Sequence, residues 1–493
     1  MGTGIDTDAS GLDSDLSRRI VRGSAWVGLG YGLGQAVLFA SMLVLVRLLD
    51  PKAFGIVAAG IVLLAVLTQI QESGVGAAVV QGRHRDPQTA AASAFVFATT
   101  AGLALTGVVI LVAPLYTHLI RLPEATPYIQ VLAAVLAFRG LAVVPGALLE
   151  RELDFRSRTK AELCAFVTQA GVAVGCAVGG LGAWSLVAGQ LAGSATQTGM
   201  LWIQTPFWPA PGMASRAMLR DMLRYGRFVS GANVLIFVNE GMDKVIVGRF
   251  LGAASLGSYS LAWRLAGLST TFVGVIVGRV MFSVYARVQH DVAAVRVAYV
   301  QNLQRTLLLA LPVAVALAVA AEPIVLGLLG PKWTGVIDPL RLLAVLAVTR
   351  LIVAPSGELF KGIGRPHLSF LGAALYFTVA LPALLLLVPP YETSGAAFAL
   401  VLAEAVVATV MLSLTFNAIA LRPVELARAS SRPVACAAVV ALVLGMVVPL
   451  TSDMRPLASL ALVAAAGAGA YLVSVAVFAR SVLSPIAAGL RRA

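Results

Sequence analysis

The sequence predicts an all-α integral membrane protein of about fourteen transmembrane helices, with two parallel six-helix lobes around a central cavity and two further helices at the C-terminus. Three observations predict it. The 493 residues are 59% apolar and only 12% charged, with a mean hydropathy of +0.91, whereas a soluble domain is roughly 45–50% apolar and about 25% charged. The apolar residues gather into runs of the about 20 residues that a bilayer-spanning helix requires. Basic residues then fall on alternate loops, as the positive-inside rule demands.

The predicted spans lie near 24–46, 53–71, 89–112, 127–149, 161–180, 183–203, 228–248, 256–278, 303–321, 337–357, 367–389, 394–416, 433–450 and 457–479. Of the 36 Lys and Arg residues, 25 fall on the side that holds the N-terminus, six on the opposite side and five within spans. That asymmetry places both termini in the cytoplasm, and an odd number of spans would break it. The first residues are acidic and polar before Arg18, Arg19 and Arg22, which reads as a cytoplasmic tail and not as a cleaved leader. The organisation that follows is a tail over 1–23, an N-lobe over 24–203, an amphipathic cytoplasmic linker over 204–227 and a C-lobe over 228–416. A second linker over 417–432, two spans over 433–479 and a tail over 480–493 complete it.

The net charge of +13 on so apolar a chain points to loops facing an anionic leaflet and excludes nucleic acid as the partner. Residues 150–160 and 214–227 mix Arg and Lys with Leu, Phe, Met and Tyr, the pattern of helices lying at the interface. Cys164, Cys176 and Cys436 each sit in an apolar run without CxxC spacing, and the four histidines are dispersed, so neither a disulfide framework nor a metal site is expected. Glycines 28, 30, 32 and 34 imitate a nucleotide loop, yet no strand precedes them and no GKS or GKT follows; a small-residue packing face explains them better. Pro145, Pro312, Pro355 and Pro382 fall inside spans and can kink them.

The chain also repeats itself. RLLDPKAFG from Arg47 corresponds to RFLGAASLG from Arg249; Pro145 and Arg151 correspond to Pro355 and Lys361; GAWSLV from Gly182 corresponds to GAAFALV from Gly395. Two halves of six spans share one orientation, a parallel repeat of the kind that lets transporters expose a central site alternately to each side.

These stretches, with ERELDFRSRTKAE, GGLGAWSLV, MDKVIVGRFLGAASLGSYSLAWRL and FKGIGRP, resemble the Wzx-type polysaccharide exporters, relatives of the MATE antiporters and lipid II flippases. The R-x-L-x-F element of Arg151, Leu153 and Phe155 and the G-x-Y element of Gly257 and Tyr259 are the most diagnostic. Ser283 departs from the pattern, since relatives often carry a Pro there. The resemblance implies a flippase that moves an oligosaccharide on a polyprenyl diphosphate from the cytoplasmic to the outer leaflet of a bacterial plasma membrane. It implies no covalent chemistry and no cofactor. Its expected partners are the lipid-linked oligosaccharide, membrane lipids and, as candidates, polysaccharide assembly proteins.

Charged groups at bilayer depth cost about 2.5–3.5 kcal/mol on insertion scales and therefore face protein or a wet cavity. For a diphosphate, the bidentate guanidinium is the natural ligand. Arg139, Arg264 and Arg350, with Lys244, are the candidate diphosphate ligands, each alternatively a helix cap, a snorkelling group or a carboxylate's partner. Arg341, near a span end, is a weaker candidate. Asn233, Phe237, Glu240 and Lys244 share one helical face; Asn233 is the candidate for sugar hydroxyls, and Glu240 and Lys244 are alternatively a neutralising i,i+4 pair. Glu240, Asp243 and Glu404 are the ion-coupling candidates. Glu404 has no basic residue nearby in sequence, so burial is expected to leave it protonated or hydrogen-bonded to a neighbouring span. Two rivals compete. A proton- or sodium-coupled MATE-like antiporter of small organic cations needs a site dominated by carboxylates and aromatics, and a membrane glycan polymerase or ligase usually carries a large external loop.

Overall fold

The structure, a computed structural model, describes residues 26, 28, 30–72, 87–209, 214–269, 281, 284, 285 and 287–478, without the side chains of 69, 70, 72, 87 and 216–237. The tails expected over 1–23 and 480–493, and Ser283, lie outside the described residues. Every regular element described is helical: α1 (Gly30–Leu48), α2 (Pro51–Glu72), α3 (Pro87–Leu119), α4 (Thr126–Leu132), α5 (Ala134–Arg151), α6 (Phe155–Val178), α7 (Ala183–Gln204), α8 (Arg216–Ala266), α9 (Val292–Val319), α10 (Ile337–Gly362), α11 (Pro366–Ile419), α12 (Pro423–Leu450) and α13 (Pro456–Phe478). Among the described residues ten helices are long and apolar enough to cross a membrane. The exterior agrees with that reading: Leu111, Ile203 and Leu450 are about four-fifths exposed, which hydrocarbon tolerates and water does not.

Two of these helices contain a reversal. Straight, the 51 residues of α8 and the 54 of α11 would run to about 75–80 Å at 1.5 Å per residue, more than twice the roughly 30 Å hydrocarbon core. In α8 the backbone leaves helical geometry at Gly252 (φ 82°). Tyr259 and Trp263, 16 and 20 residues beyond Asp243, hydrogen-bond to it, which only an antiparallel hairpin permits. In α11 the break is at Glu392 (φ 53°), and a Cβ on Gly395 would strike the Leu387 carbonyl. Glycine at 395 is the residue that lets the two arms close on each other.

The chain separates into two compact units, residues 1–241 and 242–493. In the first, α6 and α7 pack through small residues. A Cβ on Gly189 would lie 2.7 Å from that of Ala173, and one on Gly193 2.9 Å from Gln169. Gln169 donates to Gln190 across the same interface at 3.0 Å, the combination of small and polar residues that holds helices together in lipid. Gly30 and Gly34 of α1 abut Thr159 and Phe166 of α6, so they serve helix packing. Where α3 crosses α5, Gly102 and Gly140 allow each backbone to approach the other, and Gln71 from α2 donates to the Leu136 carbonyl at 3.0 Å. In the second unit, Tyr285, Tyr299, Leu303, Leu307 and Leu359 form a buried core, with Ser356 joining Tyr299 to Thr415 through hydroxyl contacts of 3.0 Å.

Proline inside a span leaves the carbonyl four residues earlier without its helical donor. Three such carbonyls are each met by a side chain from elsewhere in the fold. Ile110, orphaned by Pro114, accepts from Gln130 at 3.0 Å; Leu141, orphaned by Pro145, accepts from Trp202 at 3.0 Å; Leu308, orphaned by Pro312, accepts from Tyr471 at 3.2 Å.

One expectation needs correction. The basic segment 150–160 is no separate interfacial helix: α5 ends at Arg151, two turn residues follow, and Asp154 caps α6 by accepting from the Ser157 amide at 3.1 Å. Arg156, Arg158 and Lys160 thus belong to the first turns of α6. Likewise α8 starts at Arg216, so the second basic segment is continuous with the helix that follows. In both cases a favourable helix continues once its first turn is formed, and the mixed composition does not interrupt it.

Two outcomes test this packing. Tyr471→Phe is expected to cost about 1 kcal/mol, and Pro312→Ala in that background to remove the loss by restoring an N–H to Leu308. Unfolding of the detergent-solubilised variants measures both, and equal losses with and without Pro312 would refute the pairing. Gly395→Ala is expected to destabilise by about 1–3 kcal/mol, whereas Gly445→Ala, where a Cβ meets nothing within 4 Å, should be neutral in the same assay.

Candidate functional site

The α8 hairpin draws charge into the second unit. Asp243 is 1% exposed, and its Oδ2 accepts from the Tyr259 hydroxyl at 2.9 Å and from Trp263 Nε1 at 2.6 Å. Lys244 Nζ lies 3.6 Å from Asp243 Oδ1. On α10 the Arg350 Nε stands 3.5 Å from Glu404 Oε2 of α11, and Arg350 Nη2 donates to the Tyr376 hydroxyl at 3.4 Å. Trp263 joins these groups, because Lys244 Nζ and Arg350 Cζ each lie 5.0 Å from its ring centroid. Arg350 also lies 5.9 Å from the Tyr376 ring.

The cluster therefore holds two cations, two carboxylates and three aromatic rings. Its charges balance. In a low-dielectric interior each pair is coupled strongly enough that deleting one member leaves an uncompensated charge. The indole supplies an N–H to the anion and its face to both cations, a combination that only tryptophan offers.

The predicted site residues divide accordingly. Lys244 and Asp243 come together, and Arg350 meets Glu404. For Glu404 the structure gives the neighbouring-span alternative: its partner is Arg350, 54 residues away in sequence and adjacent only through helix packing. Arg341 pairs with Asp338 at 3.3 Å and Glu322 at 3.9 Å at the exposed start of α10. Arg139 is exposed on α5 and Glu240 is exposed on α8. Asn233 and Phe237 also lie on α8, but their side chains are outside the described residues. Arg264 is exposed and, among the described residues, makes no hydrogen bond or ion pair. Sequence reasoning missed Trp263 and Tyr376 as members of the site and took Tyr259 only as a mark of resemblance. The available signal was the aromatic content of the spans that carry the charges. Among the described residues no three His, Cys, Asp or Glu side chains gather as metal ligands would.

Comparison with known proteins places this architecture. Residues 44–338 match the family model described as polysaccharide biosynthesis protein. The lipopolysaccharide biosynthesis protein WzxC of Escherichia coli (strain K12) is 25% identical over 369 residues, covering 72% of each chain. The succinoglycan biosynthesis transport protein ExoT of Rhizobium meliloti (strain 1021) is 25% identical over 357 residues, covering 72% of this chain and 71% of its own. Among solved structures, the lipid II flippase MurJ in an inward closed conformation superposes with a TM-score of 0.76 over 93% of this chain and 99% of its own, at 13% identity. An inward-facing multidrug resistance MATE transporter of the MOP superfamily gives 0.64 over 78% and 94%, at 18% identity. The fold is thus that of the superfamily, and the family match covers more than half of the sequence. The chain is a multi-pass membrane protein with the helical fold of these transporters, and it belongs to the polysaccharide biosynthesis protein family.

Proposed function

We propose that the protein flips a polyprenyl-diphosphate-linked oligosaccharide from the cytoplasmic to the outer leaflet of the bacterial plasma membrane by alternating access, for cell-surface polysaccharide biosynthesis. In this reading the chain has fourteen spans, two six-helix lobes with both termini cytoplasmic, and spans 13 and 14 appended. The observation that carries the substrate assignment is Arg264. It stands well inside the expected span 256–278, is exposed, and has no partner among the described residues. A guanidinium at that depth calls for an anion, and a diphosphate matches its fork.

Lys244 and Arg350 take a different role. Each already faces a carboxylate, so they hold the C-terminal cluster neutral, and Arg264 is the cation beside it with no partner among the described residues. The same pairing weighs against the antiporter of organic cations. Asp243 and Glu404 sit among aromatics as such a site requires, but their charges are met from within. Neither carboxylate is open to a cationic guest. An inside-negative potential favours outward movement of the anionic headgroup by about 2.3 kcal/mol per charge per 100 mV, enough to drive the flip without a coupled ion.

Three outcomes follow. In sealed proteoliposomes carrying a labelled polyprenyl-diphosphate oligosaccharide, Arg264→Ala should slow its appearance in the opposite leaflet about tenfold or more, with Arg264→Lys intermediate, as expected for a lost bidentate contact. An imposed inside-negative potential should accelerate the wild type. Proton-driven uptake of organic cations, without glycolipid movement, would overturn the proposal. Arg350→Met should destabilise the protein by about 3–5 kcal/mol by stranding Glu404, and the double variant Arg350→Met/Glu404→Met should recover most of that in a thermal unfolding assay.

A further inference from the structure

A cavity of about 430 Å³ opens at one end of the first unit, lined by Asp50, Lys52, Glu124, Tyr128, Gly180 and Gly182 together with apolar neighbours. That volume falls within the range of about 300–1,000 Å³ typical of small-molecule sites. Two stretches singled out in the sequence, RLLDPKAFG and GGLGAWSLV, meet here, one supplying Asp50 and Lys52 and the other Gly180 and Gly182.

The lining is a carbohydrate-recognising set. Tyr128 packs on Trp184 with ring centroids 4.5 Å apart and planes at 35°, so one ring faces the cavity and the other backs it. Aromatic platforms of this kind accept the C–H face of a sugar ring. Around it stand Glu124 and Lys52, joined at 2.9 Å, and Asp50, which together offer acceptors and a donor to vicinal hydroxyls. Gly180 (φ 78°) and Gly182 (φ 55°) carry no side chain into the space, and a Cβ on either would meet nothing within 4 Å. Lys52 pairs with Glu124, and with Asp50 the polar lining supplies the acceptors and donor that the hydroxyls of a sugar use.

The internal repeat supplies a control within the molecule. At the corresponding turn of the second half, Asp50, Pro51 and Lys52 are replaced by Gly252, Ala253 and Ala254, and the chain there still forms a tight hairpin. The hairpin therefore does not require the charges of the first half. We propose that this cavity is a saccharide-binding site on the outer side of the membrane, taking one or two sugar residues of the glycan. Its placement on the outer side and its link to the exported glycan rest on the flippase reading given above.

The test uses the full-length protein in nanodiscs, titrated with maltose, cellobiose, lactose and melibiose while tryptophan fluorescence is followed. At least one sugar should saturate the signal, and Trp184→Phe should abolish the change. Tyr128→Ala should weaken binding about tenfold or more, with Tyr128→Phe close to wild type. The double variant Asp50→Gly/Lys52→Ala, which copies the second half's own turn, should fold and lose the sugar. Saturation by none of the four, equal binding by Tyr128→Ala, or a response only to calcium or tetraethylammonium would overturn the proposal. Glycolipid flipping, assayed separately, keeps the two readings apart. Sugar binding without flipping removes the transport assignment and leaves the cavity, whereas flipping without sugar binding does the reverse.

Discussion

In hydrocarbon a backbone carbonyl that loses its helical donor has no water to accept from, and the fold must provide a substitute. Pro114, Pro145 and Pro312 each create such a carbonyl, and Gln130, Trp202 and Tyr471 each close one. Each of these donors lies in a helical element other than the one it completes. The prolines therefore tie neighbouring helices together at defined heights, and bends in the spans become points of attachment.

The same rule governs how the helices approach one another. Lipid offers no hydrophobic drive for two apolar helices to associate, so contact depends on close fit and a few polar bonds. Gly189 and Gly193 against Ala173 and Gln169, and Gly102 against Gly140, remove side chains where backbones meet. Gln71 and Gln169 add hydrogen bonds at those crossings. At Gly252 and Glu392 the chain reverses, and the arms of each hairpin become the walls on which charge is mounted.

Charge within the second unit follows from these hairpins. Oδ2 of Asp243 accepts from Tyr259 and Trp263 because the chain turns between them, and Trp263 then presents its ring to Lys244 and Arg350. Pairing Lys244 and Arg350 with buried carboxylates keeps this charge balanced within the unit, while Arg264 has no partner among the described residues.

The sequence by itself determined the solvent of this protein, the type of its secondary structure, the approximate position of its spans and its family. Each of these rests on composition, on run length or on local motifs, and all three are properties of neighbouring residues. It also marked the intramembrane charges, since any charge in an apolar run stands out. What it could not determine was which charges meet. Arg350 and Glu404 lie 54 residues apart on different helices, so the sequence could offer Glu404 a neighbouring span as partner but not say which residue of it. Trp263 gave only the weak signal of an aromatic ring in a charged span, because an indole there reads as ordinary apolar content until a hairpin at Gly252 sets it between two cations. Tertiary structure decided the partners because side-chain electrostatics acts across a few ångströms of space, and helix packing alone decides which residues share them.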